Sequence, residues 1–288
     1  MKLPKFLLTI YKKIPLPQNI KKMGRNLFYI TIIPIIKIKR KFFWKKIQAS
    51  NILTLQKNLD FIGIGKFHCI LSNIDLILIY PLMKSIVGIF KEIFDDEIYF
   101  KHIKIEQGDV IIDAGANIGA FSIMSSLITG ENGLVISLEP DPLNTEFLGW
   151  NKDINNLNNI NIIKKALWSK KEHLNFYVNE LYSAASSLYS GHAKQIMVEG
   201  DTLDNILLDL KLGNRSIFLK MDIEGAEAEA AKGMEGLLKY PRLKGVIAAY
   251  HKISDGNNFI KTHTLIEPIL KKNGFKVVNE AGFLYFWK

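Results

Sequence analysis

One cysteine, Cys69, is all that the 288-residue chain contains, which excludes an internal disulfide and any thiolate cluster for zinc or iron–sulfur. That usage fits a reducing compartment. Acids are missing altogether from residues 1–59, the first being Asp60. Fourteen of the 38 lysines and arginines fall in that stretch, leaving 24 bases against 28 acids in the remainder, so the formal charge of +10 belongs wholly to the N-terminal arm. Such asymmetry points to an anionic surface, phospholipid or nucleic acid, and with no recognisable nucleic-acid module the second is disfavoured. A bilayer-spanning run is also lacking. The apolar stretch at 27–38 falls short of the roughly twenty residues a spanning helix needs and is interrupted by Pro34. No small-residue cleavage site follows it, which counts against a secretory signal peptide. Two readings of the arm remain: an interfacial segment, with Phe42, Phe43 and Trp44 among lysines, or an element docked on the rest of the chain.

Two nucleotide signatures are absent as well. The chain has no phosphate-cradling G-x-x-x-x-G-K-[ST] run, and its main glycine turn does not follow the dinucleotide pattern G-x-G-x-x-G. What stands there is Val110-Ile-Ile-Asp113-Ala-Gly115-Ala-Asn117-Ile-Gly119, an apolar strand, a turn and then helical spacing through Phe121, Ile123, Met124 and Leu127. Gly115 and Gly119 permit a sharp bend and a close approach to a ligand, and Asn117 suits a helix start. An acid at Asp113 repels phosphate but suits a ligand carrying an ammonium and a sulfonium, as S-adenosylmethionine does. Glu139 ends the next strand, where a carboxylate can accept hydrogen bonds from a ribose diol.

A second block, Phe218-Leu-Lys220-Met-Asp222-Ile-Glu224-Gly225-Ala-Glu227, closes a later apolar run. Lys220, Asp222 and Glu224 alternate, placing three charges on one face of a strand end, a costly arrangement without a ligand or mutual pairing. With both motifs in view the chain resembles the FkbM family of S-adenosylmethionine-dependent methyltransferases, which carry a D-x-G-A-N-x-G turn, an E-P after the second strand and a K-x-D-x-E-G-A-E block. The resemblance runs over residues 95–287. It implies that Ala166 and Leu167 lie beside the adenine, that the Ser186-Ser187-Leu188 and Thr202-Leu203-Asp204 segments belong to the family's middle region, and that the methyl acceptor is an oxygen. Where the family commonly has a carboxylate two residues before a histidine, this chain has Ala249 before His251.

The expected fold is α/β: a doubly wound, mostly parallel seven-stranded sheet of the class I methyltransferase, Rossmann-like type. Strands are expected at 110–113, 134–138, 160–165, 216–221, 244–250, 275–279 and 282–287, the last reversed by a hairpin, with helices at 117–129, 144–155, 202–211, 226–239 and 259–273. Two short strands are expected within 172–200. The expected domains are a basic arm at 1–49, a cap segment at 50–105 holding two short strands and a helix at 82–94, and the methyltransferase domain at 106–288. The asparagine-rich run 151–161 reads as turn chemistry ending a helix.

For the site, the cofactor S-adenosylmethionine is assigned to Asp113, Gly115, Asn117, Gly119, Glu139, Ala166 and Leu167, with Asp113 reaching its ammonium directly or through water. Asp222 and His251 are the candidate catalytic residues; Lys220, Glu224 and Ser187 are candidate substrate contacts. Asp222, Glu224 and His251 are also a candidate trio for a divalent metal, although no compact ligand motif requires one and the expectation is none. The expected activity is O-methylation of a hydroxyl on a sugar, glycan or lipid-linked intermediate, at the cytoplasmic membrane face on an acceptor reached through residues 1–48. The alternative is a membrane-associated binding or assembly protein whose methyltransferase-like domain senses the cofactor or has lost catalysis.

Overall fold

In the computed structural model, residues 64–71, 74–81, 89, 92–93, 96–178, 188, 194–208, 210, 212–255 and 258–288 are described. The arm at 1–49, most of the expected helix at 82–94 and Ser186–Ser187 lie outside them. Ile64–Lys288 forms one compact unit.

The unbroken apolar runs noted in the sequence are central strands. β3 (Val110–Ala114) and β9 (Ile217–Met221) are buried at every position, as expected of parallel strands covered on both faces. With β4 (Leu134–Leu138), β5 (Ile160–Ile163), β10 (Leu243–Ala248), β13 (Lys276–Glu280) and β14 (Phe283–Trp287) they form a seven-stranded sheet in the order β13-β14-β10-β9-β3-β4-β5. Only β14 runs against its neighbours, reversed by the Ala281–Gly282 turn, in which both residues have positive φ. Strand order changes direction between β3 and β9, so the crevice for a ligand opens beyond their carboxyl ends.

Helices α1 (Ala120–Thr129), α2 (Pro142–Ile154), α3 (Leu203–Leu207), α4 (Glu227–Lys232), α5 (Glu235–Leu238) and α6 (His263–Lys272) cover the sheet. The start of α2 is chemically fixed: Pro142 occupies its first turn and the Asp141 carboxylate accepts from the Leu143 and Asn144 amides. A second sheet of β6 (Ala166–Leu167), β7 (Glu172–Val178) and β8 (Lys194–Asp201) runs in the order β6-β8-β7.

Two expectations need correction. The helix expected at 226–239 is two helices, because Gly233 ends α4 and the Asp204 carboxylate accepts from the Gly236 and Leu237 amides, starting α5. The helix expected at 259–273 begins at His263; before it lie β11 (Lys252–Asp255) and β12 (Asn258–Lys261), an antiparallel pair in which Ile253 faces Ile260. The asparagines end α2 as expected, with Asn155 capping it and Asn156 turning at a positive φ, and two of them also reach another strand. Asn155, just past α2, accepts from the Ile77 amide and donates to its carbonyl, while Asn151 on α2 does the same for Ile79. These residues therefore pair with the edge of β2 (Ile74–Pro81), whose hairpin partner is β1 (Ile64–Leu71), and tie that hairpin to the sheet domain.

Candidate functional site

Register assembles the polar centre of the sheet. Asp113 on β3 lies opposite Ser137 on β4 and Lys220 on β9. Ser122, on the first turn of α1, donates to Asp113 Oδ2 at 2.6 Å and shares a hydrogen bond with Ser137 at 2.7 Å. Lys220 Nζ lies 3.1 Å from Asp113 Oδ1 and donates to the Gly115 carbonyl at 2.8 Å. Burial opposes the Lys220 charge, but the Asp113 and Asp222 carboxylates outweigh it and hold the ammonium above its ordinary pKa. The Asp113 carboxylate is wholly enclosed, and its contact with the cleft runs through Lys220, which lines the cleft and carries the glycine turn. Lys220 is thus committed to Asp113 and the turn.

Gly115 lines the cleft with its main chain, while a Cβ there would sit 1.9 Å from the Asp222 carbonyl, so the glycine lets the turn pass against the end of β9. Gly119, with φ of 89°, caps α1 and makes room for Leu148 of α2, whose Cδ1 a Cβ would meet at 2.1 Å. Asn117 has φ of 53° and precedes the helix instead of capping it; its amide donates to Glu139 Oε2 at 2.7 Å. Glu139 Oε1 accepts from the Asp141 amide at 2.9 Å. The turn and the second strand end are thereby clipped together at a carboxylate on the cleft wall.

One cleft joins these parts. Its wall runs through Gly115, Asn117, Glu139, Ala166, Leu167 and Phe176, and also through Glu92, Tyr99, Lys220, Asp222, Glu224 and Tyr250. Ala166 and Leu167, on β6, are buried and contribute to this wall.

The acidic end is crowded. Tyr99, 3% exposed, donates to Asp222 Oδ2 at 2.9 Å. Burial, with the Asp222 charge next, raises the pKa of Glu92 and raises that of Tyr99 well above its ordinary value. Burial likewise raises that of Glu224, against the opposing pull of His251. His251 is not among the residues lining the cleft; its ring lies 4.3 Å from that of Tyr250, which is. Its Nδ1 is 3.1 Å from the Ala248 carbonyl and 3.0 Å from Glu227 Oε1, while Nε2 faces Glu224 Oε2 at 3.4 Å and Asp222 Oδ1 at 3.9 Å. Burial disfavours the imidazolium, yet the carboxylates of Glu224, Glu227 and Asp222 prevail and push its pKa up to about 11.

The sequence-expected residues Asp222, Glu224, Lys220, Glu139, Gly115, Asn117, Ala166 and Leu167 therefore meet around one cleft, while Asp113, Gly119 and His251 stand behind its wall. Tyr250, Tyr99 and Glu92 are additions. Tyr250 had a signal, standing beside His251 at a strand end; Tyr99 and Glu92 come from a segment with no motif, brought in by tertiary packing.

A doubly wound sheet with an acidic clip at the second strand end is the arrangement by which α/β folds of this class hold nucleoside-containing ligands. The sequence profile of the Methyltransferase FkbM domain matches residues 113–277, and the chain belongs to that family. Among solved structures it is similar to a methyltransferase FkbM from Methylobacillus flagellatus, at 18% identity over 66% of this chain and 46% of that one, with a TM-score of 0.46. The chain thus spans about half the length of that relative. It is also similar to a SAM-dependent methyltransferase from Aquifex aeolicus (16% identity, 68% and 91% covered, TM-score 0.39). A third likeness is to the fibrillarin of Aeropyrum pernix in complex with S-adenosyl-L-methionine (12% identity, 65% and 69% covered, TM-score 0.36). No curated protein matches the chain.

Proposed function

We propose that the chain binds S-adenosylmethionine in this cleft and methylates an oxygen, the hydroxyl of a sugar, glycan or lipid-linked intermediate. The observation that carries the reading is the Glu139 clip: a carboxylate on the cleft wall, fixed by the Asn117 and Asp141 amides, between the glycine turn and the buried Ala166–Leu167 pair. In this reading Glu139 takes the ribose, Ala166 and Leu167 the base, and the Gly115–Gly119 turn the amino-acid end. The acidic wall suits a ligand with a sulfonium and an ammonium. Bound there, the cofactor supplies an electrophilic methyl group.

The chain's own part is alignment and removal of a proton. Tyr99 holds Asp222 by its Oδ2, and Glu92, whose pKa is raised, stands on the same wall, so the proton leaving an acceptor hydroxyl is taken up at this acidic pole. The basic arm, residues 1–48, brings the site to an anionic membrane surface, and the acceptor is met there. Among the described residues no helix is long and apolar enough to cross a membrane.

Calorimetric titration of the full chain with S-adenosylmethionine tests the first half. Binding is expected to one site, and Glu139→Ala is expected to weaken it by at least about ten-fold, the loss of a charge-assisted hydrogen bond. Equal binding by both proteins overturns the assignment. Incubation with isotopically labelled cofactor and a membrane extract tests the second half, since a label found on nitrogen or carbon removes the oxygen acceptor.

A further inference from the structure

The cluster behind the acidic wall holds more negative charge than its neighbours balance. Asp222, Glu224 and Glu227 converge on the single imidazole of His251, and Glu92 lines the same cleft wall as Asp222 and Glu224. Lys220, which also lines the cleft, is already engaged by Asp113. Two buried oxygens lack any hydrogen-bond donor: Asp222 Oδ1, and Oε2 of Glu227, a residue with no exposed surface. Leaving such atoms unpaired is costly unless something positive joins them.

The histidine is oriented as a ligand. Its Nδ1 is turned to the Ala248 carbonyl and to Glu227, which itself accepts from the Ile223 and Gly225 amides through Oε1. That is the outer support which fixes a metal-bound imidazole with its other nitrogen free to coordinate. Nε2 then looks at Glu224 Oε2 and Asp222 Oδ1 at 3.4 and 3.9 Å, long for hydrogen bonds. Ligand atoms about 2.1 Å from a shared first-row cation lie roughly 3.0–3.5 Å apart. One nitrogen and two carboxylate oxygens here fall within 4.8 Å of one another, and Glu224, with a third of its side chain exposed, has room to draw in. Tyr99 braces the far oxygen of Asp222 in the same outer fashion.

We infer that Asp222, Glu224 and His251 form a binding site for one divalent cation, with the remaining coordination positions directed to the cleft through Asp222. Two oxygen ligands and one nitrogen favour a cation of the manganese or magnesium kind over soft, thiolate-seeking metals. Coordination of the acceptor oxygen in the open positions rests on the methyl-transfer reading; the cation site itself does not.

The full chain, without cofactor, is titrated with Mn2+ and followed by the loss of the free-ion electron paramagnetic resonance signal. One site per chain is expected, weakened at least about ten-fold in His251→Gln and in Glu224→Gln, and unchanged in Glu172→Gln, remote from the cluster. Mg2+ is expected to compete. Binding with no defined stoichiometry, or equal in all four proteins, overturns the site. S-adenosylmethionine binding is measured on the same samples without Mn2+, which also shows that the variants are folded. Cofactor binding without a manganese site overturns the cation inference and spares the methyl-transfer reading. A manganese site without cofactor binding does the reverse.

Discussion

Lys220 does three things at once: it neutralises an enclosed aspartate, holds the Gly115 carbonyl and contributes to the cleft wall. The sequence showed it as one of three alternating charges, and the cost of burying such charges was a sound reason to seek partners for them. Its partner, however, is set by sheet register across more than a hundred residues, which no local pattern reveals. The same limit applies to Asp113, whose acid character was legible and whose enclosure was not. Replacing Lys220 with Met leaves the Asp113 carboxylate buried beside only a serine hydroxyl, and should cost about 3–5 kcal/mol, the penalty for breaking a buried pair. Urea unfolding checks this. The double variant Lys220→Met, Asp113→Leu should recover part of the loss, because it removes the stranded charge.

At the scale of elements, the regular βα alternation from 110 to 165 was readable because continuous apolar runs and helical spacing agree there. Readability failed where a side chain from elsewhere decides an element's end. Asp204 starts α5 from a distance of 32 residues, and Asn151 and Asn155 act on a strand more than 70 residues away. Each asparagine makes two hydrogen bonds to β2, so Asn155→Leu should cost roughly 1–3 kcal/mol and speed amide exchange at Ile77 well above that in β3. Unchanged exchange at Ile77 would remove the docking role.

The three-stranded sheet has its own electrostatic clasp. Lys165 meets Glu199 at 2.8 Å and Asp201 at 2.9 Å, and those hydrogen bonds, against weaker desolvation, raise its pKa above 10.5. For Asp201 burial pushes upward, but bonds from Lys165, Asn205 and the Thr202 amide prevail and lower its pKa below 3.8. A raised lysine stabilises fully below pH 10.5 and loses that contribution as pH climbs through its folded value; a depressed aspartate stabilises above pH 3.8 and loses it as pH falls through its folded value. Lys165→Met should therefore flatten the stability profile at both limits, as thermal melting across pH would record.

For the whole molecule, charge is the organising asymmetry: the arm carries all of the net positive charge, and the remainder is mildly acidic. Flotation with vesicles containing anionic lipid should recover the full chain at low salt and lose it as salt rises, since the attraction is screened within about 10 Å at 0.1 M. A chain lacking residues 1–48 should stay with the soluble fraction, and equal flotation of both would sink the membrane role. That shorter chain should keep its affinity for S-adenosylmethionine, as the cleft is built from residues 89 onward.

The grip of Asn151 and Asn155 on the hairpin reaches only its peptide groups, and every residue except proline offers the same peptide groups. Ile77 and Ile79, whose side chains are half-buried, can therefore be exchanged at little cost to attachment, whereas Leu76 and Leu78, before and between them, are wholly buried and hold the strand by packing. Along β2, divergence among relatives should then fall on positions 77 and 79 and spare 76 and 78, with the two asparagine amides as fixed points.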